Sequence, residues 1–358
     1  MHDTDTAQRD ALVERLNQSA MLSLELLHLY LGDRLGLYEA LAEKGAMTPS
    51  MLAAAAGINE RYAREWLEQQ AVAGILNVES GGSERTYRLP AGHVEVLVDR
   101  NSLNYLLPLG KGVVSIAGVM PQLLDAFRTG GGVPYEAYGP DMRESISALN
   151  RPAFVRLLGT DWFPAIPELH HRLLSDPPAR VADVGCGSGW SSIAIALGYP
   201  RVDVHGIDLD AASIDDARSH ARDSGAADRV KFEVRDAADP SLAGQFDLVT
   251  AFETIHDMSH PVQALSAMRQ LARPGAYVVV MDEKVPDEFT APGDDLARFH
   301  YGWSAVHCLA AAMGYPDSAA TGTIMRPDRL RTYARAAGFS DIEILPIKHD
   351  SWRFYRLL

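Results

Sequence analysis

The stretch V-A-D-V-G-C-G-S-G-W-S-S, Val181 to Ser192, decides how this chain is read. Apolar residues build a strand up to Val184, a tight glycine loop follows, and a helical pattern starts after Gly189. Gly185, Gly187 and Gly189 let the backbone bend sharply and approach a ligand where a side chain would collide. The spacing G-x-G-x-G is shorter than the dinucleotide fingerprint G-x-G-x-x-G, whose third glycine would fall near Trp190. Asp183, just before the loop, would also repel a pyrophosphate.

Three further segments follow in order. Val202 to Asp210 (V-D-V-H-G-I-D-L-D) reads as a second strand ending in Asp208, about twenty residues after the loop, a placement suited to a ribose diol. Val230 to Asp239 (V-K-F-E-V-R-D-A-A-D) gives a third strand, with Asp236 and Ala237 just past its end. Phe246 to Asp257 (F-D-L-V-T-A-F-E-T-I-H-D) gives a fourth strand that runs into a polar turn. Beyond Val181 strands and helices alternate, which predicts an α/β fold with a mostly parallel sheet covered by helices on both faces.

In these motifs the chain resembles the class I methyltransferases that use S-adenosylmethionine, over roughly residues 155–358. The resemblance implies a Rossmann-like, seven-stranded domain closed by an antiparallel hairpin, here Ile342–Leu345 and Trp352–Tyr355. It also implies that Gly185, Gly187 and Gly189 pass under the methionine part, that Asp208 holds the ribose, and that Asp236 meets the adenine amine. Asp183, Leu209, Ala237 and Phe252 complete the expected cofactor-binding set, Asp183 because a carboxylate suits a ligand with an ammonium and a sulfonium.

Composition bounds the rest. The 358 residues are enough for two domains, and 47% apolar with 22% charged residues predicts a globular protein with a large core. A formal charge of −14 disfavours a duplex or an anionic membrane as partner. The two cysteines, Cys186 and Cys308, offer no disulfide framework or zinc-type spacing. The polar, acidic start reads as neither signal nor transit peptide, and no apolar run approaches the roughly 18 residues that span a bilayer. The expected location is the cytoplasm.

The N-terminal part predicts a separate helical domain. Ala11 to Leu41 is helical and so rich in leucine that it must be buried, with a partner subunit as natural cover; Gly32 and Gly36 predict a bend or a break. Thr48 to Gln70 reads as a helix-turn-helix, with Thr48-Pro49-Ser50 and Asn59 as helix starts. Ile75–Val78 and Thr86–Leu89 follow as two short strands around Gly81 and Gly82, like a wing. Residues 1–100 hold 9 Lys and Arg against 15 Asp and Glu, so this motif lacks the basic face a DNA reader needs. The expected layout is a winged-helix-like dimerisation domain (1–93), a helical connector (94–154) and a class I methyltransferase domain (155–358). It resembles the O-methyltransferases of plant and bacterial secondary metabolism, and still more closely bacterial and animal proteins labelled as methyltransferases or transcriptional regulators. The partners expected are a small-molecule acceptor and a second copy of the chain, with no nucleic acid and no membrane.

Methyl transfer needs an aligned acceptor and a group to take its proton. His256 and Asp257 follow the fourth strand, where ligands of such sheets bind. The O-methyltransferase resemblance makes His256 the general base and Asp282, after the fifth strand, the acid that orients it. A further family position, a Glu near the last helix, falls here on Ile324. A second reading places one metal ion, iron, zinc or nickel, on His256, Asp257 and His307, with His300 as a weaker ligand. This H-D pair with a later His resembles the 2-oxoacid C-methyltransferases, in which a metal polarises the carbonyl and stabilises an enolate. Arg128 as carboxylate clamp, with Tyr135 and Tyr301, is the expected substrate contact. A non-catalytic regulator that binds S-adenosylmethionine is the alternative outside enzymology.

Overall fold

The computed structural model describes residues 3–80 and 84–358. They form two compact units: the chain up to Ala117 with Glu144–Pro152, and Gly118–Arg143 with Ala153–Leu358. The region expected as a connector contributes segments to both.

In the first unit a helix runs over Asp3–Arg34 and a second over Leu37–Lys44. The break falls at Gly36, whose φ of +65° is left-handed. Gly32 does not interrupt the helix; a Cβ there would strike the rings of Tyr38 and Trp66, so its role is close approach. Thr48 caps the helix Pro49–Ala56, accepting from Met51 N at 3.3 Å, and Asn59 caps Glu60–Val72, accepting from Arg61 N at 2.9 Å. Strands β1 (Asn77–Ser80) and β2 (Arg85–Arg88) pair antiparallel as the wing. Gly81 and Gly82, expected between them, lie outside the described residues. Tyr38, Leu52, Leu67 and Tyr87 fill the core, with Trp66 edge-on to Tyr38 at 5.1 Å. Along the first helix Leu12, Leu16, Leu24 and Leu31 stand 45–59% open within one chain, an apolar surface for which a partner subunit is the expected cover.

The second unit is built on a seven-stranded sheet. Its strands are β3 (Arg180–Val184), β4 (Asp203–Asp208), β5 (Val230–Val234), β6 (Phe246–Phe252), β7 (Ala272–Glu283), β8 (Ile342–Ile344) and β9 (Trp352–Leu357), in the order β5-β4-β3-β6-β7-β9-β8. β3 to β7 are parallel, and β9 lies antiparallel between β7 and β8. Both faces are apolar: Val181, Val204, Leu248 and Val279 pack on one side, and Ala182, Val249, Val278 and Val280 on the other. β3 pairs with β4 on one flank and β6 on the other, so the winding reverses beside it. The crevice beyond the strand ends at such a reversal is where α/β sheets bind ligands. Among the described residues no helix is long and apolar enough to cross a membrane.

Candidate active site

The loop after β3 is shaped by three left-handed glycines, Gly185 (φ +67°), Gly187 (φ +50°) and Gly189 (φ +82°). A Cβ on Gly185 would strike Thr254, and one on Gly189 would strike Phe232 and Ala217. Above Gly187 nothing lies within 4 Å, so this is the glycine that leaves room for a ligand. Asp208, at the end of β4, accepts from Gly187 N at 2.8 Å and from Asp210 N at 2.9 Å. Burial pushes its carboxyl above the usual range, and those two backbone donors hold it down. Asp183 is 1% exposed; its Oδ2 accepts from the Ser191 and Ser192 hydroxyls, each at 2.6 Å, and its Oδ1 from Thr250 at 2.7 Å. The register that sets Asp183 beside Thr250 makes the last bond possible. Both oxygens are thus committed to the protein, which ties β3 to β6 and to the helix Trp190–Gly198.

Across the reversal, the turn after β6 carries His256, 3% exposed. Its Nδ1 lies 2.6 Å from Oδ1 of Asp282, near the end of β7, and its Nε2 lies 3.0 Å from Oδ1 of Asp257. Burial alone would lower the imidazole pKa, but Asp257 and Asp282 outweigh it and hold it well above the ordinary value. Asp257, whose side chain is 31% exposed, is drawn down by His256 against its own burial. Such a dyad can fix one tautomer of the ring and stabilise its cation.

Residues 175–320 match the family model of a methyltransferase domain, and residues 23–99 that of the Rv2258c-like winged HTH domain. The chain joins these two domains. A probable tocopherol O-methyltransferase of Oryza sativa subsp. japonica is 36% identical over 105 residues, which cover 29% of this chain and 29% of that protein. A ubiquinone biosynthesis O-methyltransferase of Bordetella avium is 40% identical over 103 residues, covering 28% and 40%. The chain thus spans well under half the length of these curated relatives. Solved structures share the fold along the whole chain. Mitomycin 7-O-methyltransferase superposes with a TM-score of 0.70 at 18% identity, covering 98% of this chain and 99% of that one. Human N-acetylserotonin methyltransferase in complex with SAM gives 0.68 at 18%, covering 97% of each.

The other expected residues fall in different places. Asp236 and Ala237 follow β5, and Asp236 Oδ1 accepts from Ala238 N at 2.9 Å. Leu209, 73% exposed, leaves an apolar ledge after β4. Phe252 ends β6 and lies 5.7 Å from the Phe154 ring. Trp190 stacks on His220 at 4.6 Å. Tyr135 meets the His307 ring at 6.0 Å; burial pushes its phenol up, helped by Asp257 and Asp208. Arg128 is not brought in: it sits in the last turn of the helix Met120–Thr129, 71% exposed and paired with Asp125. Tyr301 is 40% exposed, with its hydroxyl 3.2 Å from Arg326 Nη2.

The histidines of the covering segment divide. His307 is 1% exposed and packs edge-on to Tyr138 at 4.7 Å, with Nδ1 3.5 Å from the Cys308 sulfur. Burial keeps it neutral, and its Nε2 has no hydrogen-bond partner. The close donor group among the described residues is His256, Asp257 and Cys308, with ligand atoms within 4.8 Å of one another. His307 stands outside that group because its Nδ1 faces Cys308 and Tyr138 packs on its ring. Burial pushes the Cys308 thiol up to about 12. Sequence reasoning missed Cys308, Thr250 and Arg326. Thr250 had one legible signal, a lone hydroxyl in the otherwise apolar core of β6.

Proposed function

We propose that this chain moves the methyl group of S-adenosylmethionine to a small-molecule acceptor, with His256 as general base for an oxygen nucleophile. The observation that carries the reading is His256 held between Asp282 and Asp257 at the mouth of β6 and β7, beside the glycine loop. Gly187 and Asp208 would hold the donor, one through its open left-handed backbone and the other through a carboxylate already fixed by amides. Once bound, the donor supplies a methyl group activated by its positive sulfur. Asp282 accepts a hydrogen bond from Nδ1–H of His256, which keeps that proton on the ring and leaves Nε2 to take the proton of the acceptor. The resulting imidazolium lies between two carboxylates, which lowers the cost of forming it. The O-methyltransferase names of the relatives support an oxygen acceptor. The leucines exposed on Asp3–Arg34 support a homodimer, and light scattering that finds a monomer would remove that part. In the winged domain Arg61 and Arg64 are already paired with Glu65 and Glu60, which supports a scaffold rather than a DNA reader.

A second reading has one specific observation in its favour, the donor group His256, Asp257 and Cys308. These residues would hold a single ion, with Cys308 replacing the expected His307 and a thiolate favouring zinc. Such an ion would supply Lewis acidity for C-methylation of a 2-oxoacid. The group fits only if Cys308 gives up a proton that its surroundings hold to about pH 12. Incubation with labelled donor and a panel of phenols, oxoacids and thiols separates the readings. Turnover of phenols in metal-free protein supports the base; turnover of oxoacids that chelation abolishes supports the metal. No turnover and no donor binding would overturn both.

A further inference from the structure

One cavity is lined by neither the base nor the glycine loop. It measures about 240 Å³ and opens beyond the end of β7. Its apolar lining includes Val285, Ala297 and Ile324, and its cation is Arg326. The guanidinium is fixed at two points: Nε donates to Pro286 O at 3.1 Å, and Nη2 donates to the Tyr301 hydroxyl at 3.2 Å. A fork anchored in this way has lost much of its rotamer freedom before any ligand arrives. Glu288 and Asp294 also line the cavity but are solvent-exposed, and Asp294 Oδ1 already caps Ala297 N at 2.8 Å.

The cavity belongs to the same segments as the base. Val285 closely follows Asp282 along the chain, and Tyr301 follows the buried His300. His300 is near enough to His256 for that charge to add to burial in lowering its pKa. Around His256 the neighbouring carboxylates are Asp257 and Asp282, while burial pushes the Glu283 carboxyl up and favours its neutral form. An acceptor with an anionic end is therefore repelled at the base and attracted at Arg326.

We propose that Arg326, braced by Tyr301 and Pro286, binds the carboxylate of a small aromatic or aliphatic acid and so turns the acceptor's nucleophile toward His256. The assignment rests on the methyltransferase reading above and names the class of its acceptor. A singly charged carboxylate fits better than a phosphate, because Glu288 and Asp294 on the same lining would repel a dianion. Arg326 is a specificity residue here, and Arg128 has no part in the clamp.

Calorimetry with benzoate and its uncharged twin benzamide tests this, on the protein alone and with S-adenosylhomocysteine added. Benzoate should bind wild type about tenfold or more tighter than benzamide. Arg326→Ala should erase that preference, and Arg326→Lys should keep only part of it, because a point charge lacks the fork. Tyr301→Phe should weaken benzoate by a few-fold at most, about what one neutral hydrogen bond is worth. Equal binding of the two probes to wild type, or unchanged benzoate binding in Arg326→Ala, overturns the assignment. If Arg326→Ala fails to fold, the wild-type contrast and Arg326→Lys still decide. Binding of S-adenosylhomocysteine without benzoate preference sinks this inference alone, whereas failure to bind S-adenosylhomocysteine sinks the methyltransferase reading.

Discussion

The two sides of the reversal in the sheet use carboxylates in opposite ways. On the β3–β4 side, Asp183 and Asp208 are satisfied by groups that cannot titrate: three hydroxyls for one and backbone amides for the other. On the β6–β7 side, Asp257 and Asp282 face an imidazole whose proton they hold. Asp282 Oδ2 is left buried without a hydrogen-bond partner. The first arrangement makes a cradle in which each buried carboxylate is held by neutral donors, and the second makes a centre in which the carboxylates hold a titrating ring. One fold thus separates binding from proton chemistry by choosing what each acid touches.

The largest expected effect tests that separation. His256→Ala should cut turnover by about 10²–10⁴-fold, the usual worth of a general base. Donor affinity measured by calorimetry should stay within a few-fold of wild type; a parallel loss of donor binding would show that the two sides are not independent. On the cradle side, Asp208→Ala should weaken donor binding by about 1.5–3 kcal/mol through lost charge-assisted bonds and a loosened glycine loop. Unchanged affinity in that variant would break the assignment of Asp208.

The pH profile sharpens the comparison on the titrating side. His256 must be neutral to accept a proton, and its pKa is raised. Activity should therefore climb as pH rises through that raised value. Asp257→Asn removes one of the charges that stabilise the imidazolium, so the acid limb should move to lower pH. A limb that stays in place would mean that His256 is not the titrating base. The smallest effect belongs to the cradle. Thr250→Val leaves Asp183 Oδ1 without its donor and should cost about 1–3 kcal/mol in chemical denaturation, with little change in the pH profile.

Much of the architecture was legible because it is written in local pattern. The apolar runs ending at Val184, Asp208, Val234 and Phe252 are four of the five parallel strands, and Thr48 and Asn59 mark helix starts as their chemistry requires. The strand-end positions of His256 and Asp257 were legible from the same pattern, whereas Asp282 followed only from the family resemblance. The leucine density of the first helix says that an apolar face needs cover, and within one chain Leu12, Leu16, Leu24 and Leu31 stay open. Arg128 looked available because its segment is glycine-rich and unstructured on paper, yet it caps a solvent-facing turn with Asp125. Arg326 gave no sign, since its partners, Pro286 and Tyr301, are forty and twenty-five residues away. Cys308 sits beside His307 in sequence, but which of two neighbouring side chains faces Asp257 depends on a π-type turn over Ser304–Cys308 that sequence does not announce.

The burial of both thiols turns the chain into its own reporter. Cys186 and Cys308 are the two cysteines of the sequence, 7% and 8% exposed, and burial raises both thiol pKa values. A thiol reagent meets almost no thiolate in the folded protein, so alkylation proceeds only in molecules that have opened. Cys186 lies inside the glycine loop and Cys308 in the turn Ser304–Cys308, so their separate labelling rates time the opening of these two segments without an engineered probe. A molecule lodged against Gly187 would slow the first clock, which makes ordinary cysteine labelling a screen for ligands of that loop.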